Sequence, residues 1–371
     1  MKNKKYTIIL GVVITVLLVC AIANKEKIAN FFSNKTWEIA EVIGTVRLNN
    51  YFAVAGTSSN LLVIGNNYIT GYSNSGREVF DENVLLQNAI TATNGDYCIV
   101  GEKEGSKVYL MNSTAKLWES EVQGSILDVS VNKNGYSSVV YKQAGYKSLI
   151  KVLTPEGTEL FTNYLVSTYA IDTELSSDNK TLAIAEVNTE GITVQTSIKL
   201  VDMTNVGEEN VTKIPLENDM IITDIEYNDK NQLLVLTDSS VGIIENGTYR
   251  PVISKFDTNT TFVTVENRLD IIEISKVENG LFDVSYSVNI YHDKEGTVNT
   301  NSYPIKNLPS IVTAAGKNIA LLLDKELIII NTNGRLVKHS EVQGNVKDIK
   351  FFENGNAIVL IYRDKIDFLK I

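Results

Sequence analysis

The chain has 371 residues, of which 44% are apolar and 21% charged, a balance that suits a large buried core and excludes a disordered chain. Beyond residue 36 it carries 28 lysines and arginines against 43 aspartates and glutamates, and so acidic a surface repels phosphate backbones, which argues against nucleic acid as a partner. Cys98 is the one cysteine in that region, so no disulfide forms within it.

In chain order, residues 1–5 hold Lys2, Lys4 and Lys5 and are read as a cytoplasmic N-terminus. Tyr6 to Ala23, YTIILGVVITVLLVCAIA, follows without a charge. As a helix rising 1.5 Å per residue it is about 27 Å long, close to the thickness of a bilayer core. The expectation is a single transmembrane signal anchor over 6–23, with the rest of the chain outside the cytoplasm at the cell membrane. Cleavage after Ala23 is the alternative, because Ala21-Ile22-Ala23 fits the small-x-small pattern. Cys20 does not suit lipid attachment, since the bulky Val19 precedes it. Residues 24–36 form a polar tether with Phe31 and Phe32 inside it, placed either at the membrane interface or at the start of the packed domain.

From residue 37 the chain repeats. SEVQG stands at 120–124 and again at 340–344. GSILDVSVNKNGYSSVVYK follows from Gly124 and GNVKDIKFFENGNAIVLIYR from Gly344, each a strand, an Asn-Gly hairpin and a second strand. The same grammar recurs from Tyr169, Met220 and Pro309. A second unit, apolar strand, polar turn and a strand with a bulky residue, appears in GYSNSGREVF, YLMNSTAKLW, VLTPEGTELF and IINTNGRLVK, with weaker versions between. Its markers Gly76, Ala115, Gly157, Gly207, Gly247, Gly296 and Gly334 are spaced about forty residues apart, the length of a four-stranded propeller blade.

Seven such units precede three C-terminal strands, Val346 to Phe352, Ala357 to Tyr362 and Ile366 to Ile371, which lack a fourth. The stretch Trp37 to Leu48 supplies it and removes an open edge. The fold expected is therefore an all-β propeller over 37–371 with eight four-stranded blades, seven being the alternative. SEVQG is expected at the same blade-to-blade corner twice.

YLMNSTAKLW, VLTPEGTELF and IINTNGRLVK resemble the repeat of quinoprotein-like propellers, and ELSSDNKTLAIAEV (174–187) is similar to a Ser-x-Asp-Gly-x-x-Leu-Ala hairpin of other bacterial, WD40-like blades. With the N-terminal span, the whole chain resembles an uncharacterised family of membrane-anchored propellers of Gram-positive Firmicutes. Ala115 replaces the turn glycine in one copy and Val337 the aromatic in another. The resemblance implies blades and carries over no catalytic residue.

Few constellations carry chemistry. His292 and His339 are the only histidines, both expected at solvent, and no zinc spacing surrounds them. No Gly-x-Ser-x-Gly elbow, calcium loop or phosphate cradle is present, so neither a metal nor a cofactor is expected. Cys98 lies in an apolar strand and is read as a buried structural thiol. Asp128, Asp172, Asp224 and Asp348 occupy like positions in SILDVSV, YAIDTEL, IITDIEY and VKDIKFF, and are the candidate ligand-binding set around the axis. The competing reading makes each a cap on a backbone turn or a tie to the next blade. Tyr136, Tyr141, Tyr146, Tyr164 and Tyr169 cluster in one blade and its connection, a candidate interface because tyrosine offers area and a hydroxyl at low entropic cost. The function expected is a non-enzymatic scaffold that binds an envelope protein or polymer. A sensor using an axial aspartate ring and a glycan hydrolase using paired carboxylates are the alternatives.

Overall fold

The computed structural model describes residues 38–371, apart from 208–209, 217–219, 246, 258, 267–269, 279–283 and 295–296. The expected anchor over 6–23 and the tether over 24–36 lie outside the described residues. Among the described residues no helix is long and apolar enough to cross a membrane.

Eight antiparallel sheets of four strands follow one another along the chain. In each of the first seven, consecutive strands pair in order, as in the third blade, Ser125–Val131, Ser137–Lys142, Ser148–Leu153 and Glu159–Leu165. The eighth joins the two ends of the domain. Asp348–Phe351, Ala357–Ile361 and Lys365–Lys370 are completed by Val42–Arg47, with Val46 opposite Ile366 and Arg47 opposite Lys365. Thr45 Oγ1 donates to Asp367 Oδ1 at 2.7 Å across this seam. The strand expected from Trp37 to Leu48 is thus present over a shorter span.

The repeats locate the blades because each supplies a fixed turn. The unit that includes Gly157 is the hairpin between third and fourth strands. Gly157 has φ +81°, a left-handed conformation that costs an L side chain about 1–2 kcal/mol. The first hairpin of each blade turns on Gly135 (φ +84°) in the third blade and on Asn179 (φ +62°) and Asn231 (φ +59°) in the next two. Asparagine is the side chain that best tolerates that region. These turns also tie blades together. Asn132 Nδ2 donates to Ser176 O at 2.9 Å, and Asp178 N to Asn231 Oδ1 at 3.1 Å.

The core lies between the sheets rather than around the axis. Apolar clusters fill each gap between neighbouring blades, such as Ile99, Leu110, Val129 and Val139 between the second and third. The gap between eighth and first blades is filled by Phe352, Phe368, Leu61 and Val63. Cys98 is fully buried between the first and second blades, and desolvation pushes its thiol up to about 12. Such a thiol is unreactive, as the sequence led us to expect.

Because strands alternate in direction, the start of each first strand, the second hairpin and the end of each fourth strand share one face. We call this the corner face, since the chain passes from blade to blade there. Both SEVQG copies lie on it, at the second-to-third and seventh-to-eighth corners. Val122 and Val342 are buried. Gly124 is pressed against the Lys142 carbonyl and has no room for a side chain, whereas Gly344 lies close to the Tyr362 ring and is constrained by its φ of +85°.

Candidate functional site

The site begins with three irregularities in pairing. In the third, fourth and fifth blades the first strand slips by one residue against the second just before an aspartate, between Ile126 and Asp128, Ala170 and Asp172, and Ile222 and Asp224. A bulge re-aims the side chain that follows it. Here it leaves Ile126, Ala170 and Ile222 packed against the preceding blade and turns the three carboxyls toward the following blade and the axis.

Asp172 is the centre of this group. It hydrogen-bonds with the Asp128 carboxyl on one side and the Asp224 carboxyl on the other. Its Oδ1 accepts from its neighbour Thr173 N at 2.7 Å, and its Oδ2 accepts from Ile225 N of the fifth blade at 2.9 Å. Two adjacent carboxyls that hydrogen-bond share a proton, because like charges at that separation do not both ionise. Burial raises the proton affinity of all three, and for Asp172 the charges of Asp128, Glu174 and Asp224 raise it further. Asp128 is pushed up to about 6, with Lys103 and the Val129 N–H pulling the other way. Each remains half-buried, so the group is open to the channel.

Asp348 does not join them. Its Oδ1 accepts from Ile349 N at 2.8 Å and its Oδ2 lies 3.5 Å from Lys350 Nζ. The first blade, which follows it around the ring, carries Ala53 at the matching register. The four-membered aspartate ring expected from like positions is therefore a cluster of three on one side of the axis and a separate ion pair. Asp172 also acts as the tie to the next blade that the competing reading required.

The far side of the channel carries both signs of charge. A cavity of about 220 Å³ is bounded by Gly56, Thr91, Thr93, Thr313, Lys350 and Glu353. A second, of about 410 Å³, opens toward the opposite face among Lys133, Glu226, Asp229 and Glu353. Lys133 and Asp229 reach across it from the third and fifth blades, 3.4 Å apart. Glu226 and Lys350 were not singled out from the sequence, although each stands two residues past a named aspartate, and the strand period puts both on the same side of the strand. Among the described residues no group of three or more histidines, cysteines or acids is arranged to hold a metal ion.

The tyrosines divide. Tyr141 is 5% exposed within the core, and Tyr136 packs against the cluster between the third and fourth blades, so neither forms a surface with the others. Tyr146, Tyr164 and Tyr169 are exposed on the corner face. The rings of Tyr146 and Tyr164 lie 5.1 Å apart, and Lys147 Nζ sits 4.9 Å from the centre of the Tyr169 ring. Also exposed in these blades are Leu127, which is the bulge residue beside Asp128, Ile221, and Val166, which is 67% exposed. Ile192 and Val194 extend the patch on the second hairpin of the fourth blade. Exposed apolar side chains and the three carboxyls thus belong to the same three blades.

The histidines are not free at solvent as expected. His339 has a side chain 9% exposed, 3.0 Å from Glu326 Oε2, and burial lowers its proton affinity. His292 Nε2 lies 2.8 Å from the Thr332 carbonyl of the seventh blade. Both serve packing of their blades.

Solved structures share this architecture at low identity. The C-terminal WD40 domain of Sif2 aligns with a TM-score of 0.56 at 15% identity, covering 90% of this chain and 99% of that one. A eukaryotic initiation factor gives 0.54 at 12%, covering 90% and 87%. Sqt1 of Chaetomium thermophilum, solved bound to the N-terminus of ribosomal protein L10, gives 0.52 at 11%, covering 90% and 100%. These likenesses show the fold alone. No curated protein matches the chain. Residues 22–371 match the model of a family of unknown function, DUF5711, and the chain belongs to that family.

Proposed function

We propose that this chain is a non-enzymatic, protein-binding propeller, held outside the cytoplasm by residues 6–23, that docks a partner on the corner face of its third to fifth blades. The observation that carries the reading is the exposed group Leu127, Tyr146, Tyr164, Val166 and Tyr169 on the corner face of blades that also hold three clustered carboxyls. A contiguous apolar patch rimmed by polar groups is a mark of an interaction surface. Charge complementarity defines the partner. It is a protein segment that lays apolar side chains on the tyrosines and sets a lysine or arginine toward Asp128, Asp172 and Asp224. Aromatic anchors beside a desolvated charge site are where binding energy concentrates. Sqt1, a propeller of like fold, is bound to a protein N-terminus, which is a precedent for the mode and not for the partner.

The test is crosslinking in intact cells followed by affinity purification of the full-length chain beside Tyr146→Ser/Tyr164→Ser/Val166→Ser and a copy lacking residues 1–36. A stoichiometric protein recovered with the parent and lost with the triple variant is expected. Equal recovery with that variant would remove the docking surface.

A second reading, a sensor for a small cationic or polar ligand, is favoured by the partial exposure of the carboxyls to the channel. It expects saturable thermal stabilisation by such a ligand, abolished by Asp172→Asn. Turnover of an envelope glycan that Asp128→Asn abolishes would overturn the non-enzymatic reading.

A further inference from the structure

The second SEVQG corner carries different chemistry from the first. Leu127 of the third blade is replaced by Lys347, and Tyr141-Lys142, which end the second strand there, are matched by Tyr362-Arg363, which follow the second strand here. The short turn that follows, Arg363–Asp364, is pinned by Tyr362 N donating to Lys365 O and Leu48 N to Asp364 O, both at 2.8 Å. Between this turn and the corner lies a cleft of about 560 Å³, bounded by Gln343, Gly344, Lys347, Tyr362, Arg363 and Lys365.

We propose that this cleft binds a phosphoryl group through Lys347 and Arg363, with the rest of the phosphate ester lying against Gly344 and Tyr362. The cations are not equivalent. Lys365 is committed, with Nζ 2.5 Å from the buried Asp367 and 4.6 Å from the centre of the Tyr362 ring. Lys347 and Arg363 are exposed and make no ion pair among the described residues. Arg47 stands opposite Lys365 on the strand that closes the ring and is exposed, outside the cleft lining. Asp364 is the one acid that lines the cleft.

The chemistry favours phosphate over a carboxylate. A guanidinium presents a fork of donors to two oxygens and an ammonium supplies a point charge to a third, which a phosphoryl group uses in full. The cleft is larger than inorganic phosphate alone requires, so the organic part of an ester fits beside it. The acidic remainder of the domain does not forbid this. Charges more than about 8 Å away are largely screened at physiological ionic strength, whereas direct contacts are not.

The test uses the full-length chain in a nonionic detergent, which keeps residues 6–23 in solution. Its thermal unfolding is followed with inorganic phosphate, glycerol phosphate and dihexanoyl phosphatidylglycerol, against chloride at matched ionic strength. Lys347→Leu/Arg363→Ser is the comparison variant, and Leu is the residue that the homologous corner already accommodates. The expected result is a saturable rise in unfolding temperature with glycerol phosphate and at least a tenfold loss of affinity in the variant. Tighter binding of the lipid than of glycerol phosphate identifies a membrane headgroup as the source, and equal binding identifies a soluble ester. No effect beyond that of chloride, or an undiminished effect in a variant that unfolds like the parent, overturns the proposal.

Discussion

The corners at 120–124 and 340–344 are the same five residues in two settings. Their framework is shared: a buried valine, a closely packed glycine, and an aspartate four residues past that glycine, Asp128 opposite Val140 and Asp348 opposite Ile361. Their chemistry is not. The third blade offers Leu127 at the surface, and the blade after it contributes Asp172 to a proton-sharing cluster. The eighth offers Lys347, and the blade after it contributes Ala53. The repeat therefore dictates where the chain turns, while function is written on positions that the turn leaves exposed and by what the neighbouring blade presents.

The largest test of that contrast lies at the glycines. Gly124→Ala drives a methyl into the Lys142 carbonyl, which cannot swing aside, and is expected to cost about 3 kcal/mol by urea denaturation. Gly344→Ala meets the Tyr362 ring at 3.2 Å with φ at +85° and is expected to cost about 1–2 kcal/mol. The reverse order would mean that the Tyr362 ring and the positive φ at Gly344 resist a methyl more than the Lys142 carbonyl does. Val122→Ala and Val342→Ala probe the shared part and should each cost about 2 kcal/mol, equal within error.

The aspartates sharpen the comparison through pH. In the unfolded chain they ionise near 4, whereas folded Asp128 holds its proton up to about 6 and Asp172 is raised as well. The folded form binds the extra protons, so this contribution is fully present below pH of about 4 and is lost as pH rises through 6. Asp172→Asn should flatten that decline in calorimetric scans and raise stability at pH 7 by about 1 kcal/mol, a figure kept small because the cluster is half-open to solvent. Asp348→Asn removes a partly exposed pair with Lys350 and should lower stability by less than about 1 kcal/mol.

The blades were legible because each repeats two turns of fixed chemistry, and even the degenerate copies around Glu245 and His292 mark hairpins between third and fourth strands. The seam was legible because three C-terminal strands needed a fourth. The aspartate cluster was legible only as a set of like positions. Which members meet depends on blade order and on bulges at Leu127, Ile171 and Thr223, and no local pattern announces either. Tyr141 and Tyr164 look alike in sequence, yet one faces a blade interface and the other solvent. His339 was read as exposed from its place at a strand end, but its outer strand packs the ring against Glu326. The cleft at Lys347 is not marked by any local pattern because its parts come from a corner and from the second hairpin of the same blade, which meet only once the blade has folded.

That closing strand fixes a timetable. Val42–Arg47 leaves the ribosome before the other described strands of the domain, while Lys365–Lys370 follows all of them. At about 5–20 residues per second the first strand waits roughly 15 to 60 seconds for its neighbour. Throughout that interval it is an unpaired edge, the usual starting point for mispairing with another chain. Its composition suits the wait. VIGTVR is short, interrupted by Gly44 and ended by Arg47, which makes it a poor template for a stranger and leaves it free for the one strand whose arrival turns an open row of blades into a ring.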